Sequence, residues 1–152
     1  MSPNARLADL GLTLPEPAGA VANYVPFVRT GNLVHISGQL SNDASGGVKG
    51  TVGVDVSPEQ AQGAARLCGI NLLAQISAAL DGDLDRVVRV VKLGGFVQAG
   101  PDFIAIPAVI NGCSDLMVAV FGEQGRHARS AVGVYKLPLG FAVEVDAVVE
   151  VK

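Results

Sequence analysis

Residues 128–151 read ARSAVGVYKLPLGFAVEVDAVVEV, two apolar runs on either side of Leu137-Pro138-Leu139-Gly140. From Phe141 onward the odd positions Phe141, Val143, Val145, Ala147, Val149 and Val151 are apolar, whereas Glu144, Asp146 and Glu150 fall on even ones. A period of two marks a β-strand with one buried face. With a Pro-Gly turn between the runs, the stretch is expected to fold as an antiparallel hairpin with Arg129 and the acids on its wet side. A second reading is open: Arg129 and Glu144 face one cleft and act on something small.

Working back from this stretch, residues 104–121 return to helical spacing through Val109, Cys113, Leu116, Met117 and Val120, and Gly122 ends the run. Residues 85–97 are β-branched, and Arg86, Arg89 and Lys92 break their alternation, so a bulge is expected near Gly94-Gly95. Ser57-Pro58-Glu59-Gln60 opens a long helix with a serine N-cap, a proline at the first helical position and a glutamine placed to close a capping box. Ala61, Ala65, Cys68, Leu72, Ile76 and Ala79 form its apolar stripe, and Gly82 is a suitable left-handed stop. Before it, residues 24–29 and 33–37 are two short strands around Thr30-Gly31-Asn32, and residues 42–50 are a polar loop. Residues 1–20 are expected to be an irregular arm with one helical turn around Ala5–Leu10.

The order β-β-(β)-α-β-α-β-β gives an α+β domain, two helices on one face of a mixed, mostly antiparallel sheet. Its other face has nothing left in the chain to cover it. At 152 residues this is one domain, 1–152, long enough to bury roughly 68–70% of its unfolded surface. Charged residues are only 16% of the chain against a usual value of about 25%, and 49% are apolar. So little charge points to a surface partly covered by copies of the same chain.

Eleven basic and 14 acidic residues give a net charge of -3, with no basic cluster to neutralise phosphates, so nucleic-acid binding is disfavoured. No signal-peptide core opens the chain and no apolar run is expected to reach the ~20 residues of a membrane span, which predicts a soluble, cytoplasmic protein. Cys68 and Cys113 sit in helical patterns as small buried hydrophobes. There is no phosphate or dinucleotide loop, no nucleophile elbow, and neither His35 nor His127 stands in a metal-binding pattern. Cofactor-free chemistry or plain binding is what remains; His35 reads as a partly exposed strand residue, and His127 lies two residues from Arg129.

The ordered set A-R-S-x-V-x-V-x-x-L-P and V-E-V-D-A at residues 128–147, Tyr24 upstream of Ser37-Gly38-Gln39, V-D-V-S-P-E-Q-A at the long helix and Asn111 in the next resembles the Rid family, the reactive intermediate deaminases or YjgF-type proteins. The resemblance implies a chorismate-mutase-like fold, a homotrimer with clefts between subunits, and hydrolysis of 2-imino acids, the tautomers of enamines, to 2-keto acids and ammonia without metal or coenzyme. It implies that Arg129 clamps a substrate carboxylate, that Gly38 and Ala131 offer backbone N–H groups, that Glu144 handles the attacking water, and that Tyr24 walls the pocket, with Ser37 and Asn111 secondary. A guanidinium fork suits a carboxylate, and a glutamate suits proton transfer. Three positions depart from the family pattern: Ala131 replaces a common cysteine, Gly133 a common acid and His127 a common proline. If the expected hairpin pairs symmetrically, Gly133 lies beside Glu144 and enlarges the pocket. A non-catalytic trimer that captures keto acids or related carboxylates is the alternative, and an RNA-directed nuclease is opposed by the acidic balance.

Overall fold

A computed structural model describes all residues, 1–152. Five strands form one mixed sheet in the order β1-β2-β5-β3-β4: β1 Phe27–Thr30, β2 Leu33–Leu40, β3 Val87–Gln98, β4 Ala128–Val134 and β5 Val143–Val151. Three helices accompany it: α1 Pro3–Asp9, α2 Pro58–Ala79 and α3 Ile106–Phe121. The fold is the expected α+β class, and the helical turn expected around Ala5–Leu10 is present as α1, two residues earlier at its start. Ser2 caps α1, and Leu7 is buried in the main core, so the start of the arm is anchored.

The signals of α2 are realised except for its stop. Ser57 and Gln60 close the capping box and Cys68 and Leu72 are fully buried, but the left-handed residue that follows the C-cap Leu80 is Asp81 at φ +54°, with Gly82 next at φ +88°. Gly31-Asn32 is the two-residue loop of the β1–β2 hairpin, with Gly31 at φ +58°. Both cysteines are free and buried. Residues 106–125 do reach the length and apolarity of a membrane span, contrary to the expectation, but the apolar side of this segment is spent on α2 and the sheet. Where α2 and α3 cross, a Cβ at Gly112 would lie 3.0 Å from the backbone carbon of Gln62, so the helices touch main chain to main chain.

Two expectations are corrected. Residues 128–151 are not a hairpin: β4 runs parallel to β3 at the sheet edge, and β5 lies on the other side of β3, antiparallel to it and to β2. Residues 135–142 cross the end of β3, longer than the two to five residues of a tight hairpin loop. Gln98 anchors this crossing by accepting from the Leu137 N–H and donating to the Gly50 carbonyl. The helix between β3 and β4 makes them a parallel β-α-β unit, which displaces β4 from the partner its sequence neighbour would have been. The bulge, likewise, is not at Gly94-Gly95, whose pairing is regular; the register of β3 slips between Val87 and Lys92, where the charged residues broke the alternation.

The period of two in β5 holds in full, Val143, Val145, Ala147, Val149 and Val151 being buried toward the helices. Glu144, Asp146, Val148 and Glu150 point to the other face, which no helix of the chain covers.

Candidate functional site

Residues paired across a sheet share a face. Arg129 pairs with Leu93, and Leu93 with Ala147, both buried on the helix side, so Arg129 projects toward the helices. Glu144 pairs with Leu40 and Phe96 on the open side. The two are two strand spacings apart, about 10 Å, displaced by three residues along the strands, and separated by the sheet itself. Within one chain Arg129 and Glu144 do not meet. Gly133 is not near Glu144 either: a Cβ there would lie 3.4 Å from Ile106 and 3.5 Å from Ala99, on the helix side.

Each charge has its own surroundings. The Arg129 guanidinium donates from Nη1 to Ser114 Oγ at 3.0 Å and from Nη2 to the Pro107 carbonyl at 3.2 Å. No carboxylate pairs with it, the single ion pair of the chain being Arg126–Glu123. Pro107, Asn111 and Ser114 recur at positions i, i+4 and i+7 of α3, so Asn111 belongs to the helix face along which the arginine lies. The Val134 carbonyl accepts from Ala99 at the end of β3. Alternation therefore turns the backbone groups of Arg129, Ala131 and Gly133 outward, to the free edge. Arg129, the outward Ala131 N–H and the α3 face that carries Asn111 thus lie at one edge of the sheet.

The remaining candidate residues lie on the open face. Ser37 and Gly38 have no partners in the β2–β5 ladder, whose register slips between Ile36 and Gln39 and leaves them opposite Asp146 alone. Bulges of this kind free backbone groups and recur beside active sites. Ser37 spends its hydroxyl on the Val25 carbonyl at 2.8 Å and its N–H on Pro26, which ties the Tyr24 segment to the bulge. Its role is positional. Tyr24 and Gly38 line a cavity of about 460 Å³ together with residues 15, 16 and 18–21 of the arm, Asn71 and Phe141. A Cβ at Gly38 would come within 2.8 Å of Glu144 Cδ, so only glycine leaves that space to the carboxylate. Gly94 does the same for Asp146.

Burial raises the proton affinity of Glu144, and the Asp146 charge raises it further. Between the opposing influences weighed from the sequence, desolvation prevails, because Arg129 is on the other side of the sheet. Asp146 is raised by burial too, with the Gly94 N–H and Lys92 opposing. The Glu144 carboxylate has no hydrogen-bond or ion-pair partner within the chain. Burial lifts both thiols, Cys113 to about 12, which removes them as nucleophiles. His35 is exposed on the open face opposite Val148. Two features of these surroundings were missed in the sequence: Ser114, whose only sign was a hydroxyl in an apolar helix three residues after Asn111, and the packing of Asp146 on Gly94, although the alternation had put Asp146 on the face of Glu144.

Residues 4–150 match the family described as "YjgF/chorismate mutase-like, putative endoribonuclease". Protein TCP17 of Trypanosoma cruzi is 51% identical over 148 residues, 96% of this chain and 92% of that protein. A 2-iminobutanoate/2-iminopropanoate deaminase of Dermatophagoides farinae is 28% identical over 138 residues, 91% of each. Among solved structures, Atu1372 of Agrobacterium tumefaciens, of unknown function, superposes with a TM-score of 0.92 at 50% identity, covering 99% of this chain and 92% of its own. TdcF of E. coli, with bound serine, superposes at 0.61 with 25% identity, covering 90% and 94%.

Proposed function

The chain belongs to the YjgF/chorismate mutase-like family, and on that basis we propose that it is a cofactor-free deaminase of small 2-imino acids, working in clefts between copies of itself. One observation carries the reading: Arg129 and Glu144 each lack a charged partner in their own chain, and they sit on opposite faces of the sheet. A second copy that lays its β4 edge on the open face of the first brings a free guanidinium to a free carboxylate, with a cavity beside them. The scarcity of charge and the uncovered sheet face support such packing, a homotrimer being the assembly the family resemblance implies. The deaminase relative and the serine held by TdcF support a small carboxylate-bearing ligand.

In the cleft the Arg129 fork and the Ala131 N–H hold the substrate carboxylate, and Gly38 and Tyr24 of the other copy close the site. Glu144 takes a proton from a water whose oxygen bonds to the C=N carbon. That proton goes to the imine nitrogen, giving a carbinolamine; as its C–N bond breaks and the C=O bond forms, Glu144 carries the hydroxyl proton to the leaving nitrogen, giving keto acid and ammonia. A base with raised proton affinity is suited to both transfers, a contribution of ~10² to 10⁴ in rate. The test is ammonia and keto-acid release from an imino acid generated in situ. Wild type should accelerate it and Arg129→Ala should not; equal rates would end the proposal. Keto-acid binding without turnover of any imine would assign the protein to capture instead.

A further inference from the structure

We propose that Ser114 and His127 are positioning residues that hold Arg129 in its carboxylate-binding pose, an inference that rests on the function proposed above. His127 Nδ1 lies 2.6 Å from the Gly125 carbonyl, and its Nε2 lies 2.9 Å from Ser114 Oγ. Ser114 Oγ in turn lies 3.0 Å from Arg129 Nη1. A carbonyl can only accept, so Nδ1 carries the proton and Nε2 is left as an acceptor. A guanidinium can only donate, so the serine oxygen accepts from Arg129 and its own proton goes to Nε2. Every donor and acceptor in the run from Arg129 through Ser114 and His127 to Gly125 is thereby assigned, without conflict. Burial, seconded by the Arg129 charge against the pull of the Gly125 carbonyl, lowers the proton affinity of the imidazole and keeps it in the neutral form the run requires.

A Ser–His pair at this distance also has the look of an activated nucleophile. Here, however, the oxygen already accepts from a cation, which withdraws the electron density an attack would need. Its use is mechanical. A long arginine side chain loses rotamer freedom when it grips a ligand, and a fork already pinned at Nη1 and Nη2 has little left to lose.

The test uses the full-length protein and three readouts: kcat and KM on an imino acid generated in situ, the Kd for 2-oxobutanoate, and the Arg129 Nη resonances, which are separate when rotation of the guanidinium is hindered. Ser114→Ala should raise KM and Kd about 10-fold with kcat little changed, the scale of losing one hydrogen bond to a charged group. It should also merge the Nη resonances. Ser114→Thr, which keeps the hydroxyl, should restore all three. His127→Ala should act in the same direction and His127→Gln, which keeps an acceptor, should rescue it. The proposal is overturned if Ser114→Ala and His127→Ala leave Kd and the resonances unchanged, or if kcat alone collapses and a serine-directed phosphonate labels Ser114. If wild type neither turns over imine nor binds keto acid, the deaminase reading has failed, while the Nη resonances still decide whether this run of hydrogen bonds fixes Arg129.

Discussion

Adding one methyl group at residue 38 isolates the contribution of the Glu144 carboxylate. Gly38 is not among the glycines with positive φ, so alanine suits its backbone. The new Cβ would start 2.8 Å from Glu144 Cδ and 3.1 Å from Cγ. Two carbons settle at about 3.5–4.0 Å, so the carboxyl carbon must retreat by roughly 1 Å. The moving atoms are the end of a flexible, half-exposed side chain, so the fold yields cheaply and Tm should stay close to wild type. Misplacing a catalytic group by about 1 Å can cost on the order of 10²-fold. Gly38→Ala should therefore lose about 10²-fold in kcat at nearly unchanged Tm, approaching the loss in Glu144→Gln, and the double variant should be little worse than either alone. Steady-state ammonia release together with thermal denaturation measures both. A fully active Gly38→Ala protein would show that the space beside Gly38 is not where the carboxylate works.

Two further predictions concern stability. Glu144 and Asp146 both hold protons more tightly in the native chain than an ordinary carboxylate does. The native state then binds the extra protons as pH rises from the ordinary carboxylate pKa toward the raised values, so their contribution is fully present below that window and is lost as pH climbs through it. Asp146→Asn, at a carboxylate given no partner in the proposed cleft, should raise Tm at neutral pH, by about 2–4 °C per kcal/mol relieved at this chain length, and the gain should vanish in acid; a gain that grows on acidification would reverse the sign. Gly112→Ala drives a methyl into the backbone of Gln62, where no side chain can step aside, and should cost about 1–3 kcal/mol or more, read from urea midpoints. An unchanged midpoint would mean the helix crossing is looser than described.

The elements were legible where local chemistry alone decides them. The capping box at Ser57, the period of two in β5 and the Gly31-Asn32 turn needed no knowledge of the rest of the chain. What was not legible was non-local. Leu137-Pro138-Leu139-Gly140 has the composition of a hairpin turn, and nothing in it records that β3 lies between the strands it joins. From that error followed the misplacement of Gly133 and the idea that Arg129 and Glu144 face the same way. Arg129 was legible as a candidate but its support was not, because Ser114 and His127 are thirteen positions apart and meet only through the packing of α3 on β4. The broken alternation of Arg86, Arg89 and Lys92 did announce an irregularity in β3, but it lies between Val87 and Lys92; Gly94 and Gly95 accommodate Asp146 and Ile110, and the bulge that exposes Gly38 lies in β2.

Because a sheet separates the two charges, a copy that has lost its arginine and a copy that has lost its glutamate are defective in different places. In the shared cleft proposed above, the two kinds of defective copy mixed in one ring should rescue each other wherever the second lays its intact edge on the first's intact face, at about a quarter of the junctions if assembly is random. A cell carrying both broken alleles would keep some of the activity that neither allele supplies alone.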